Sequence, residues 1–263
     1  MKIVYSIIIS LFIGSIWGEN GTSKKSSEDN KFLANDGSLY FDKLFYTPYQ
    51  SENDLIKVKI NESDTEQMIF AGNFYFITGA QLPQGDKKGV EYIKKSLDIY
   101  QKIWKNNFSH ARVRTLLATA HMARGGDSNI SIEDILDHIF RAKNLFSMVL
   151  SKYPENLDAL IGRIRLDMNL TTGTGRSNTI HESDIRLFFA GYPRLPEELK
   201  LNPYFLMAYN EVLLASTRLD LENGKHKSAE NSFKSINKKA LHEHAQKMYN
   251  ETLKSLENYK GKK

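Results

Sequence analysis

The residues from Ser109 to Ala159 constrain the fold more than any other stretch of the chain. At their centre is Ala142-x3-Phe146-x2-Val149-x4-Pro154. The first three positions fall at i, i+4 and i+7, so they share one face of a helix. A small residue at 142 lets a neighbouring helix approach, Phe146 fills the groove, and Pro154 stops the helix. Upstream, Leu117-Ala118-x2-His121-x3-Gly125 supplies the partner helix and its end. The stretch therefore predicts two packed helices joined by a turn.

The same spacing returns elsewhere. Ala229-x3-Phe233-x2-Ile236 begins five residues after Gly224, and Ile93-x3-Leu97-x2-Tyr100 repeats the i, i+4, i+7 pattern with larger side chains. This pattern resembles the tetratricopeptide repeat, a helix pair of about 34 residues. The resemblance covers residues 64–240, and its second and fourth units carry the motif residues. It departs from the family at several points. Arg114 and Leu213 stand where the first helix of a unit usually has a large aromatic, and His121 and Asp220 replace the usual Tyr. About twelve residues beyond the usual repeat lie between Gly125 and Ala142. They read as an N-terminal extension of the second helix, started by the capping-box-like Ser131-x-x-Asp134.

The resemblance implies an all-α fold of about nine helices, stacked as a short α-solenoid with a concave groove. Grooves of this kind hold an extended peptide, a partner helix or a small molecule. Their lining comes from the first helix of each pair. That selects Asn73, Arg114, Arg163 and Asn210 as ligand-binding candidates by position, with Arg176 at the tip of a Gly/Thr loop able to reach an anionic ligand.

The chain divides into four parts. Residues 1–18 have a basic start, an apolar run from Ile3 to Trp17 and Gly18 before a polar stretch, the pattern of a signal peptide. Residues 19–63 read as a flexible or extended segment, with Ile56-x-Val58-x-Ile60 alternating like a strand. Residues 64–257 carry the helical repeats, and 258–263 form a basic tail. Within the repeats, Arg163 and Asp167 can pair at i, i+4, and Thr179-x-x-Glu182 can cap a helix. Asn202 with Pro203 can open the next helix, and Asn223-Gly224 closes it.

Cysteine is absent, which removes disulfides, thiol catalysis and zinc–thiolate sites together. The histidines of His242-Glu-His244 point to different sides of a helix, unlike the zinc motif His-Glu-x-x-His, and read as surface residues. Gly173-Thr-Gly-Thr lacks the Gly-Lys-Ser/Thr ending of a phosphate loop. Neither a metal site nor a cofactor is expected, and no catalytic residues stand out. Residues 225–263 hold ten Lys and four Glu, a net of +6 against +5 for the whole chain. This reads as a solvated face with at most peripheral membrane contact, and export argues against nucleic acid. Six Asn-x-Ser/Thr sequons, at Asn20, Asn61, Asn107, Asn129, Asn169 and Asn250, are glycan acceptors in a eukaryotic host.

The sequence thus leads to an expectation of an exported, periplasmic or extracellular, non-enzymatic binding or scaffold protein with a protein or peptide partner. Two alternatives stay open: a periplasmic ligand-binding accessory of a solute transporter, and an all-helical hydrolase of the cell envelope.

Overall fold

Local side chains start four of the helices. Asp64 Oδ1 accepts from the backbone N–H groups of Glu66 and Gln67, opening α1 (Thr65–Ala80). Asp86 Oδ1 accepts from Gly89 N at 2.9 Å at the start of α2 (Lys87–Asn106). After α3 (Ala111–Arg124), the Ser131 hydroxyl accepts from Asp134 N at 3.1 Å and donates to Asp134 Oδ2 at 3.0 Å. That opens α4 (Ile132–Lys152). Asn156 Oδ1 caps α5 (Leu157–Thr174) through Ala159 N. Such caps each contribute about 1 kcal/mol by satisfying donors that a helix start leaves open.

The computed structural model describes residues 61–80, 82, 85–106, 110–127, 129–174, 181–201, 203–241 and 243–260. The remaining helices are α6 (Glu182–Gly191), α7 (Pro203–Glu222), α8 (His226–Lys234) and α9 (Glu243–Lys260). A four-residue helical turn (Glu197–Lys200) precedes α7. Among the described residues the chain is all-helical, with nine helices longer than that turn and no strand. None of these helices is long and apolar enough to cross a membrane.

Helix α7 ends as its sequence predicts. Gly224 adopts φ +70, and Lys225 N donates back to Asp220 O at 2.7 Å, a closure that favours glycine because φ is positive. Helix α6 is preceded by His181, which makes no side-chain cap. Two expectations need correction. Arg163 reaches Asp184 on another helix, and Asp167 takes Lys143, because tertiary partners outcompete the i, i+4 contact. Helix α9 continues past residue 257 to Lys260. The signal-like residues 1–18, the strand-like run 56–60, Arg176, Thr179 and Asn202 lie outside the described residues.

Packing follows chain order. Helices α1 and α2, α3 and α4, and α7 and α8 make the heaviest contacts, and α2 packs on α3 and α4 on α5. A second set of contacts links alternate helices: α1 with α3, α3 with α5, α5 with α7, and α7 with α9. Helices α3 and α5 are thus surrounded. From Arg112 to Asp127, every described residue except Arg114 is buried, and from Asn156 to Asn169 only Arg163 is half-exposed. The even helices instead bury one face and show the other to water.

The motif residues occupy the centre of this packing. Ala142, Phe146 and Val149 are all buried. Phe146 lies against Gly162 of α5 so closely that a Cβ there would overlap its ring. Tyr100 does the same to Gly72 of α1. Ala229, Phe233 and Ile236 are buried too, with Phe233 stacked on Tyr249 of α9 at 4.4 Å. Each such aromatic contributes a few kcal/mol through burial, about 1.5–3 by apolar area.

Candidate functional site

The buried face of the odd helices is not purely apolar. Charged side chains recur along α3, α5 and α7, and they are tied across helices. Arg165 on α5 donates from Nε to Glu211 Oε2 on α7 at 2.6 Å, with both side chains almost fully buried. Two turns of the same helix carry Arg163 and Asp167. Arg163 makes a bidentate contact to Asp184 of α6, both bonds 2.6 Å, and a third bond to Ser147 Oγ of α4 at 3.1 Å. Lys143 of α4 donates to Asp167 at 2.9 Å. Burial still holds the Asp167 carboxyl above its usual range, with Lys143 opposing that shift.

Arg112 of α3 reaches Glu66 of α1 at 2.6 Å. Its burial pulls the guanidinium down to about 10, against the pull of Asp158. Arg218 on α7 is shifted downward by burial, with Glu251 and Glu222 acting in the other direction. These charges are thus paired across helix boundaries.

Five positions were selected from the sequence. Asn73 is fully buried and accepts the Tyr100 hydroxyl proton. Asn210 is buried, donating to Leu206 O at 2.7 Å and accepting from Asn237 N at 2.6 Å, so it pins the segment after α8. Arg163 is held by Asp184 and Ser147 as described. Arg114 is half-exposed on α3 between the buried residues on either side. Arg176 is outside the described residues. Asn73, Arg163 and Asn210 therefore tie helices to other parts of the chain, and Arg114 and Arg163 are the described candidates with partly exposed side chains.

The sequence reading passed over Arg112, Arg165, Glu211 and Asp184. Their only local signal is a charge set inside an apolar run, as with Arg165 between Ile164 and Leu166. Their partners are far along the chain, Glu211 standing 46 residues from Arg165, so no spacing rule finds them. His244 is buried at the start of α9, not on the surface as its sequence context suggests. Asn169 is buried within α5, which removes that sequon from the set open to a glycan, whereas Asn61, Asn129 and Asn250 are exposed.

Two histidines meet where α3 crosses α4. Nδ1 of His121 lies 2.8 Å from Nδ1 of His138, one ring donating and the other accepting. Burial, reinforced by His138 and Arg141, pulls His121 down to about 4. His138 is lowered as well, by burial and by Arg124. The pair is thus neutral at pH 7.

An open cleft of about 510 Å³ lies at the turn between α7 and α8, where α9 passes. Tyr259 stacks on the His226 ring at 3.6 Å, and Lys225, Lys227 and Glu230 stand at its rim. Gly224, Ser228 and Leu256 complete its lining, which carries both signs of charge. Comparison with family models, with curated proteins and with solved structures finds no match to this chain.

Proposed function

We propose that this chain is a non-enzymatic binding or scaffold protein, built from tetratricopeptide-like helix pairs stacked as a short solenoid. The charged and amide side chains on α3, α5 and α7 carry the reading, together with the contacts between alternate helices. Stacked helix pairs bring the first helix of each unit to one common side. The contacts of α1 with α3, α3 with α5, and α5 with α7 support that arrangement. Arg114, half-exposed on α3, would give an extended peptide or partner helix a polar anchor. The sequence pattern of residues 1–18 adds export to the proposal, to a periplasmic or extracellular setting.

Site-directed photo-crosslinking tests this. A photoreactive amino acid at position 114 is expected to capture a protein partner in the native host compartment, and one at the outward-facing position 144 is not. Equal capture at both positions overturns the inner-face reading. No capture at 114, with a small molecule retained in native mass spectrometry, replaces it with the transport-accessory reading. Fractionation of the tagged full-length chain tests export separately.

A further inference from the structure

The two histidines at the crossing of α3 and α4 can share one proton between their facing nitrogens, but not two. Nδ1 of His121 faces Nδ1 of His138 at 2.8 Å, and the ring centroids stand 5.0 Å apart. Two imidazoles give that separation when their Nδ1 atoms meet head-on. An N–H···N bond of this kind needs a proton on one nitrogen and a bare lone pair on the other. The half-buried His138 can take a first proton on its Nε2 and leave the bond in place, with His121 still accepting. A further proton on His121 Nδ1 removes the acceptor. It also sets two positive rings face to face where His121 is 4% exposed, so water cannot solvate the charge.

The pair sits where α4 is held least. Of residues 132–141 only Ile135 and Ile139 are buried, and Ile132, Leu136 and Phe140 stand in water. His138 lies beside Ile139 against the end of α3, where a Cβ on Gly125 would come within 3.1 Å of Ile139 and 3.5 Å of His138. The second half of α4 buries Ala142, Leu145, Phe146, Val149 and Leu150, with Phe146 on Gly162 and Lys143 on Asp167. A segment with few buried contacts opens before its better-packed neighbour. Among the described residues, the charged groups acting on the two rings stand on α3 and α4: Arg124, Asp134, Asp137 and Arg141. The arginines oppose a positive ring, and the carboxylates are already engaged, Asp137 by Arg141 and Asp134 by Ser131. We propose that this crossing is an acid-operated latch: protonation of His121 opens it and frees residues 132–141, while the second half of α4 stays docked on α5. The closed form is favoured at neutral pH and the open form gains as pH falls, because only the open form accommodates the second proton.

Hydrogen exchange of the full-length chain at pH 7 and pH 5, corrected for the intrinsic pH dependence of exchange, tests the proposal. The opening equilibrium of residues 135–141 should rise roughly 20-fold between the two. That factor follows from a His121 held at about 4 in the closed crossing and returned to about 6.5 in the open one. Residues 146–152 and α5 should stay protected at both pH values. His121→Gln keeps a hydrogen-bonding side chain that takes no charge, and should exchange alike at pH 7 and pH 5. Imidazole NMR of the wild type keeps the test decisive if that variant does not fold. His138 should titrate first with the crossing closed, and His121 should titrate together with the release. Exchange of residues 135–141 that ignores pH overturns the latch, and so does an equal acceleration in every helix. A His121→Gln chain that opens as the wild type does overturns it too, as does a His121 that titrates near 6.5 with the crossing still closed.

Discussion

Helices α4 and α5 lie side by side, joined by Phe146 on Gly162 and by Lys143 on Asp167. Yet they solve the placement of charge in opposite ways. On α4 the pair Asp137–Arg141 stays within one helix and in water, at 2.7 Å. On α5 the ion pairs of Arg163, Arg165 and Asp167 leave the helix, to α6, α7 and α4. The exposed pair gains little, because water already solvates both partners and holding two long side chains costs entropy. The buried pairs join four helices, and there the loss of one partner strands the other in a medium that does not solvate it. Charges on α5 therefore act as connectors between helices, whereas on α4 only Lys143 does so and the pair Asp137–Arg141 stays in water.

The largest expected effect breaks a connector. Glu211→Gln keeps the shape of the side chain but removes the carboxylate that faces Arg165, and is expected to cost roughly 3 kcal/mol. For a domain of this size that lowers Tm by about 6–12 °C. A thermal melt of the purified variant at pH 7 measures it, and an unchanged Tm would show that the pair is not a connector.

The second sharpens the contrast at the crossing of α3 and α4. His121 is held down to about 4 by burial, next to His138 and Arg141, against an unfolded value near 6.5. The folded state thus prefers the neutral ring. Its contribution is fully present above about pH 6.5 and is lost as pH falls toward about 4, where the unfolded chain binds the extra proton. Arg124 of α3 and Asp134, Asp137 and Arg141 of α4 share that environment. The lost stability amounts to roughly 3 kcal/mol at most, at about 1.4 kcal/mol per unit. Urea denaturation at pH 7 and pH 4.5 should show a drop that His121→Gln reduces. An equal drop in both proteins would assign the acid sensitivity to the carboxylates instead.

The smallest effect is the control on α4. Asp137→Ala removes the exposed in-helix pair and should leave Tm unchanged, because both partners are solvated. A clear loss would mean that Asp137 has work beyond its own helix, and would weaken the distinction between the two helices.

Much of this architecture is written locally. Helix α4 shows its core face in sequence because one side is wet, so Ile135, Ile139, Ala142, Phe146 and Val149 recur at helical spacing. Its start is readable in Ser131 and Asp134, and the end of α7 in Asn223-Gly224. Helices α3 and α5 give no such stripe. They are buried on all sides, and a helix surrounded by other helices has no need to alternate. The candidate positions Asn73 and Asn210 were found by placement along a repeat, but their polar atoms turned out to serve Tyr100 and Asn237, partners that a repeat pattern does not encode.

The amino-acid sequence by itself determined the helical class, most helix ends and the apolar faces of the outer helices. These depend on residues three or four apart, where propensity, capping and burial act on a single segment. Only the tertiary structure decided which charges are neutralised, which helix is central and which apolar row is left in water. Those depend on pairs such as Arg165 and Glu211, 46 residues apart, whose meeting is fixed by how whole helices pack.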